Sequence, residues 1–184
     1  MENWHVFYAD WQMECCGTPF SVGDEVSWPL LLMDADERLG GDWDRELSRI
    51  VGSVETVRDE DGSVIRTLRA GPPGGLGLTA ALHADTVDES GPEAGDPIRM
   101  AGLLTVERHG GEWPETTGRV RAIYVVHQEY AELGPGSLTR EPVPGSRSLE
   151  AVKSCPKWFG EGRSGVLVEL DVPGAAPPEP RDRS

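Results

Sequence analysis

The segment GRVRAIYVVHQEY, Gly118–Tyr130, carries the strongest β-strand signal in the chain. β-Branched and aromatic residues dominate it, and they favour an extended backbone whose side chains alternate between two faces. The two predicted faces are Val120, Ala122, Tyr124 and Val126 on one side and Arg121, Ile123, Val125 and His127 on the other. Because apolar residues occupy both faces, we expect the centre of this strand to be covered on both sides of the sheet.

Shorter β-type runs lie on either side of this segment, separated by turn signals. The predicted strands are Trp4–Asp10, a run from Val26 to about Leu32, a hairpin of Gly52–Val57 and Ser63–Arg69, a small segment Thr79–Val87, Ile98–His109 and Gly165–Val172. The chain contains 23 Gly and 15 Pro among 184 residues, so long loops such as Ala70–Leu78 and Asp88–Pro97 are expected. The sequence therefore predicts a mainly β fold, an antiparallel small barrel or sandwich with one short helix and long Gly/Pro-rich loops.

The single predicted helix spans Asp42–Val51. Asp42 is a suitable N-cap, and Trp43, Leu47 and Ile50 follow at helical spacing on one face. A helix this short, with one apolar stripe, is expected to pack on the sheet.

The block WQMECCGTPFSVGDEVSW, residues 11–28, combines a tight turn with an unusual pair of thiols. Gly23 followed by Asp24 is typical of a turn with positive φ between apolar flanks. Cys15 and Cys16 are neighbours, and on an extended backbone one sulfur would face the core and the other solvent. With Cys155 the cysteines number three, so they cannot all pair within one chain.

The charge excludes some partners. Acidic residues number 32 and basic residues 17, a net charge of −15, and residues 1–118 carry all of that excess. A surface this acidic repels phosphate backbones, so we expect no nucleic-acid partner and no anionic membrane. The acidic residues either form solvated faces that serve solubility or offer a docking surface for a basic protein partner.

The start of the sequence and the cysteine content indicate a compartment. Met1 and Glu2 open a mixed segment without the apolar run of a secretory signal, and no stretch is long enough to cross a membrane. We therefore expect a cytoplasmic protein with reduced thiols.

Catalytic and cofactor motifs are not evident in the sequence. The glycines of AGPPGGLGL lack the Lys-Ser/Thr of a phosphate loop, and the four histidines show no metal-ligand spacing. The sequence therefore predicts no catalytic residues, no cofactor and no metal. The candidate binding residues are Trp11 and Trp113, which lie beside turns, and the pair Cys15 and Cys16.

The sequence resembles an uncharacterised actinobacterial domain family of unknown function, found in Streptomyces and relatives. That family has a WQ-x-x-CCG-x-PF-x-VGD-x-V-x-W block, then a G-x-V-x-x-I strand and a VPGS segment. The matching residues here are Trp11, Gln12, Cys15, Cys16, Gly17, Pro19, Phe20, Val22, Gly23, Asp24, Val26 and Trp28, then Gly118, Val120, Ile123 and Val143–Ser146. The resemblance covers about 1–30 and 98–172 and implies no established activity or cofactor.

Together these features predict one β-rich domain over residues 1–172, with a variable acidic middle at about 31–97 and a disordered tail at 173–184.

The function we expect is a binding or regulatory module acting through protein contacts, and enzyme activity is not favoured. Two alternatives stay open. One is a thiol-based enzyme or a metal-site protein that uses Cys15 or Cys16, with Cys155 and His109 as further metal ligands. The other is an acidic inhibitor that imitates nucleic acid.

Overall fold

The computed structural model describes residues 3–33, 43, 45–83, 95 and 97–175. Within them lies one helix, α1 (Asp10–Cys16). The strands, in chain order, are β1 (Trp4–Ala9), β2 (Glu25–Trp28), β3 (Leu30–Met33), β4 (Ser48–Arg58), β5 (Val64–Ala70), β6 (Leu78–Leu82), β7 (Pro97–Val106), β8 (Thr116–His127), β9 (Tyr130–Glu132), β10 (Arg140–Pro142), β11 (Ser148–Val152) and β12 (Arg163–Asp171). No helix in these ranges has the length and apolar character that a membrane span requires.

Five strands close into a barrel in the order β7, β3, β6, β5, β4, and β4 pairs back onto β7. Strand β7 closes the barrel because its first half pairs with β4 and its second half pairs with β3. Gly102 lies where the pairing changes, and a Cβ there would come within 2.8 Å of the Met33 carbonyl oxygen. A glycine at this position therefore lets the strand pass close to its neighbour at the corner of the barrel.

The remaining strands extend the barrel sheet from its β7 side. Strand β1 runs parallel to β7 with Val6 opposite Leu104, β12 lies on β1, and β8 lies on β12. The free side of β8 is shared by β2 at one end and β11 at the other. The predicted β barrel is confirmed, and most strand pairs are antiparallel; the parallel pairs are β1 with β7 and β3 with β6.

The core is built from the inward faces of these strands and from large aromatic side chains. Tyr8, Phe20 and Trp28 contact one another inside the main cluster, with ring centroids 4.9 to 6.3 Å apart. A second, smaller cluster lies on the other face of β1 and contains Phe7 and Trp43. Most tryptophans are therefore core residues, since only Trp11 and Trp158 are exposed among them.

Strand β8 is covered on both faces as predicted, but its faces are not the alternating sets that the sequence suggests. Val120 belongs to the same core cluster as Ile123 and Val125, whereas Val126 belongs to the other. The reason is a β-bulge: Glu169 of β12 pairs with Ala122 and the next residue pairs with Val120. The extra residue shifts the alternation by one position.

The helix predicted at Asp42–Val51 is wrong in its described part. Ser48–Val51 belongs to β4, where Ser48 and Ile50 are buried and Arg49 and Val51 are exposed. Burial in this segment alternates from one residue to the next, as in a strand, although three apolar residues have helical spacing in the sequence. The helix lies instead at α1, in the Cys15 and Cys16 segment, where an extended backbone was expected.

The acidic middle is only partly described. It contributes β3, β4, β5 and β6, which are four of the five barrel strands, and the predicted hairpin over the Asp59–Gly62 turn is confirmed. Much of the predicted loop Asp88–Pro97, and the tail from residue 176 onward, lie outside the described residues.

Candidate functional site

Parallel pairing of β1 with β7 brings two chain segments to one edge of the sheet. In a parallel pair both strands end at the same edge. Helix α1 begins directly after β1, and the loop of residues 107–111 begins directly after β7. The residues Trp11 to Cys16 therefore face residues that lie more than 90 positions later in the chain.

Helix α1 is held along its inner face and at its C-terminus by contacts with the rest of the fold. Gln12 and Met13 are buried, which anchors the inner face of the helix. At its C-terminus the Lys157 ammonium donates to the carbonyl oxygens of Met13, at 2.7 Å, and Gly17, at 3.0 Å. A cation at the C-terminus of a helix can hydrogen-bond the last carbonyls and interacts favourably with the helix dipole. Because the inner face is fixed, Trp11 and Cys15, four residues apart, share the outer face.

Cys15, Cys16 and His109 form an exposed cluster on this face. The two sulfurs lie 2.8 Å apart, and Nε2 of His109 lies 3.5 Å from the Cys16 sulfur and 4.0 Å from the Cys15 sulfur. All three residues are exposed, so the prediction that one sulfur would point into the core is wrong. On the last turn of a helix, adjacent side chains lie about 100° apart, and both can reach solvent.

His109 is oriented by two neighbours. Its ring stacks on the Trp11 indole, with centroids 5.3 Å apart and planes 29° from parallel. Its Nδ1 lies 3.9 Å from Oε1 of Glu107, and the same oxygen accepts the His109 backbone N–H at 2.8 Å. The arrangement directs Nε2 toward the thiols and Nδ1 toward a carboxylate.

The loop that carries His109 is tied to the helix by Arg108. Its backbone N–H donates to the Gln12 side-chain oxygen at 2.9 Å, and its Nε donates to the Tyr8 hydroxyl at 2.9 Å. Both acceptors belong to buried residues. The relative positions of His109 and the two thiols are therefore fixed by the core and not by the cluster itself.

The electrostatics at Cys16 combine opposing influences. The contact with Cys15 raises the pKa of the Cys16 thiol, and partial desolvation adds to the increase. Arg108 and Lys157 lie close enough to lower that pKa, but they do not reverse its direction. The neighbouring Glu14 carboxylate is not among these influences, and it accepts the Phe159 backbone N–H at 3.0 Å.

A cleft of about 410 Å³ opens on the other side of Trp11. Its apolar lining includes Phe7, Leu31 and Met33. Polar and aromatic side chains contributed by four separate segments line it: Asp10, Trp11, Gln12, Thr105, Glu107, Gln128, Tyr130, Arg163 and Ser164. A cleft lined by apolar side chains and a few polar groups is typical of a binding site.

Burial within the cleft shifts the titration of two lining residues. Partial burial raises the pKa of the Asp10 carboxyl, and the nearby charge of Glu14 adds to the effect. Burial also raises the pKa of the Tyr130 hydroxyl, with a further increase from the Asp10 carboxylate. A partly buried carboxylate gains more from a cationic ligand than an exposed one does.

A family model matches residues 2–172 of the sequence. The chain belongs to DUF6578, a family of unknown function. Searches of the curated proteins and of the solved structures found no match to this chain. Any functional conclusion for this DUF6578 member therefore depends on the geometry of its own residues.

Three of the four binding residues proposed from the sequence lie together. Trp11 is 49% exposed, lines the cleft and stacks on His109 of the cluster that contains Cys15 and Cys16. Trp113 does not join them: it is 8% exposed, and its indole N–H donates to the Leu30 carbonyl at 2.9 Å.

Cys155, considered from the sequence as a further metal ligand, is also outside the cluster. It is buried, and burial raises the pKa of its thiol to about 12. His109, named with it, is confirmed as a neighbour of the cysteines. Sequence reasoning missed Asp10, Glu107 and Tyr130, because their proximity depends on the parallel pairing of β1 with β7 and on the return of the chain after β8.

Proposed function

We propose that this DUF6578 protein is a cytoplasmic binding module that recognises a basic side chain of a partner protein in the cleft beside Trp11. The observation that carries the proposal is the lining of the cleft. Aromatic surface from Trp11 and Tyr130 borders the partly buried Asp10 carboxylate. Lysine and arginine combine an apolar stem with a cationic head, so they match a site of this kind.

The charge of the whole chain supports the same class of partner. A net charge of −15 attracts basic proteins over distances of about one Debye length, roughly 8 Å at physiological salt. Long-range attraction would speed the encounter, and the cleft would supply the specific contact. Arg163 also lines the cleft, where it donates to the Phe159 carbonyl at 3.4 Å, so it is partly committed to its own chain.

The test is a calorimetric titration with three short peptides that differ at one central residue, which is Arg, Lys or Gln. We expect the Arg and Lys peptides to bind and the Gln peptide not to bind. Asp10→Asn should weaken binding of the cationic peptides about tenfold, the effect of losing about 1.4 kcal/mol from one charge-assisted contact. Asp61→Asn, an equal charge change in the exposed turn between β4 and β5, is the matched control.

The outcomes separate this proposal from the acidic-inhibitor alternative. A protein that imitates nucleic acid would bind through many charges at once, so Asp10→Asn and Asp61→Asn would weaken binding equally. Equal effects of the two substitutions, or equal binding of the Arg and Gln peptides, would exclude the cleft as the recognition site.

A further inference from the structure

The cluster of Cys15, Cys16 and His109 has the composition of a metal site. Each residue offers one ligand atom, and the three atoms all lie within 4.8 Å of one another. Two soft thiolates and one imidazole nitrogen favour zinc over magnesium or calcium, which prefer oxygen ligands. We propose that Cys15, Cys16 and His109 bind a zinc ion, a function separate from recognition in the cleft.

The distances fit zinc after one small adjustment. With zinc–sulfur bonds of about 2.3 Å, zinc–nitrogen bonds of about 2.1 Å and tetrahedral angles, each sulfur lies about 3.6 Å from the nitrogen. The observed distances from His109 Nε2 are 3.5 Å to Cys16 and 4.0 Å to Cys15. The sulfurs, now 2.8 Å apart, must separate by about 1 Å, which a side-chain rotation of exposed residues provides.

The orientation of His109 supports the assignment independently of the distances. A zinc-bound histidine usually presents its other ring nitrogen to a carboxylate or carbonyl, which fixes the ring and increases its basicity. Here Nε2 faces the thiols while Nδ1 lies 3.9 Å from the Glu107 carboxylate. The stack on Trp11 limits rotation of the same ring. Glu107 is thus a positioning residue for the proposed site.

The cluster also meets the requirement that ligands be held by the fold before metal binds. Lys157 fixes the end of the helix that carries the thiols, and Arg108 fixes the loop that carries His109. Less ordering entropy is then lost on binding. Because all three ligands are exposed, the fourth coordination position would be open to solvent, as in zinc sites that hold a water molecule.

The first experiment is a cobalt titration of the full-length protein, reduced with a phosphine and freed of metal. Cobalt(II) substitutes for zinc and reports thiolate ligation by charge-transfer absorption in the near ultraviolet. We expect saturation at one equivalent and complete loss of the signal when zinc is added. No thiolate band in the wild-type protein, or a band that zinc does not displace, would overturn the proposal.

Substitutions then locate the site. Zinc affinity, measured by competition with a chromophoric chelator, should fall about 10- to 100-fold in Glu107→Gln and further in Cys15→Ser, Cys16→Ser and His109→Ala. Matched controls are Cys155→Ala for the thiols and His127→Gln for the imidazole, and both should bind zinc as the wild type does. Equal loss in the controls, or no loss in the three ligand variants, would place the metal elsewhere and reject the assignment.

A measurement on the wild-type chain removes any dependence on how the variants fold. Saturating zinc should slow alkylation of Cys15 and Cys16 at least tenfold, because coordinated thiolates are poor nucleophiles toward the reagent. Peptide mapping identifies which cysteines are protected. Unchanged alkylation of both residues in the presence of zinc would contradict the proposal even if some metal binds.

Discussion

The Nε2 atom of His109 lies 3.5 Å from the Cys16 sulfur, although 93 positions separate the two residues in the chain. The proximity follows from one pairing, in which Val6 of β1 lies beside Leu104 of β7 in parallel. Both strands end at the same edge, and the residues that follow them meet there. The same edge carries the cleft, so one topological feature brings both candidate sites together.

The three cysteines should differ sharply in reactivity. Cys15 and Cys16 are exposed, whereas Cys155 is buried and its thiol pKa is raised to about 12 by burial. The thiolate is the reactive form, so at pH 8 only about one Cys155 side chain in ten thousand is ionised. We expect iodoacetamide to modify two cysteines in the folded, reduced protein and three in denaturant, as measured by intact mass. Modification of Cys155 at the rate of Cys15 in the folded state would contradict the burial of that thiol.

Trp11 and Trp113 should respond differently to the same substitution. Trp113→Phe removes the indole N–H that donates to the Leu30 carbonyl and puts a smaller ring in a buried position, which together should cost about 1–3 kcal/mol. Trp11→Phe changes an exposed ring and should alter the free energy of unfolding by less than about 0.5 kcal/mol. Urea denaturation of the two variants measures both values. Equal destabilisation would show that Trp113 does not have the core role that its hydrogen bond indicates.

The sequence predicts the fold class well because strand signals are local. Gly118–Tyr130 reads as a strand from its own residues, and the turn at Asp59–Gly62 defines its hairpin from four residues. The bulge that moves Val120 to the face of Ile123 was not predictable, because it depends on how β12 pairs with β8. The helix prediction for Asp42–Val51 was wrong in its described part for a similar reason, since pairing of Ser48–Val51 with β7 makes these residues a strand.

The candidate sites were predictable only in part. Trp11, Cys15 and Cys16 lie within six residues of one another, so their grouping needs no tertiary information. His109, Glu107 and Tyr130 come from distant segments, and only the pairing of β1 with β7 and the path of the chain after β8 bring them to the same edge. Patterns within single segments therefore identify residues of unusual chemistry but not their neighbours.

Asp10→Asn should leave the protein at least as stable as the wild type at pH 7. Burial raises the pKa of Asp10, so its ionised form is less favoured in the folded state than in the unfolded state. The contribution of Asp10 to the free energy of unfolding is therefore largest at low pH and is lost as the pH rises through the raised pKa. In the wild type, the Asp10 carboxylate accepts the backbone N–H of Trp11 at 2.8 Å. Asparagine keeps an oxygen for this hydrogen bond and removes the charge.

We expect the Tm of Asp10→Asn to equal or exceed that of the wild type at pH 7, with the difference disappearing at acidic pH. Thermal melts followed by circular dichroism across this range provide the measurement, and Asp61→Asn in the exposed turn is the control, with no such pH-dependent gain. A lower Tm at pH 7 would mean that the Asp10 charge stabilises the fold, contrary to the direction of its pKa.

Substitutions at Gly23 and Gly134 can show whether a side chain destabilises the fold through backbone strain or through lack of space. Gly23 has φ of +98° in the turn before β2, where its N–H donates to the Val120 carbonyl at 2.8 Å. Gly134 has no such positive φ, and a Cβ at either position would meet no atom within 4 Å. Gly23→Val should therefore cost about 1–3 kcal/mol of unfolding free energy through φ strain alone, and Gly134→Val well under 1 kcal/mol. Chemical denaturation of both variants tests this, and equal values would show that the turn relaxes to accept a side chain.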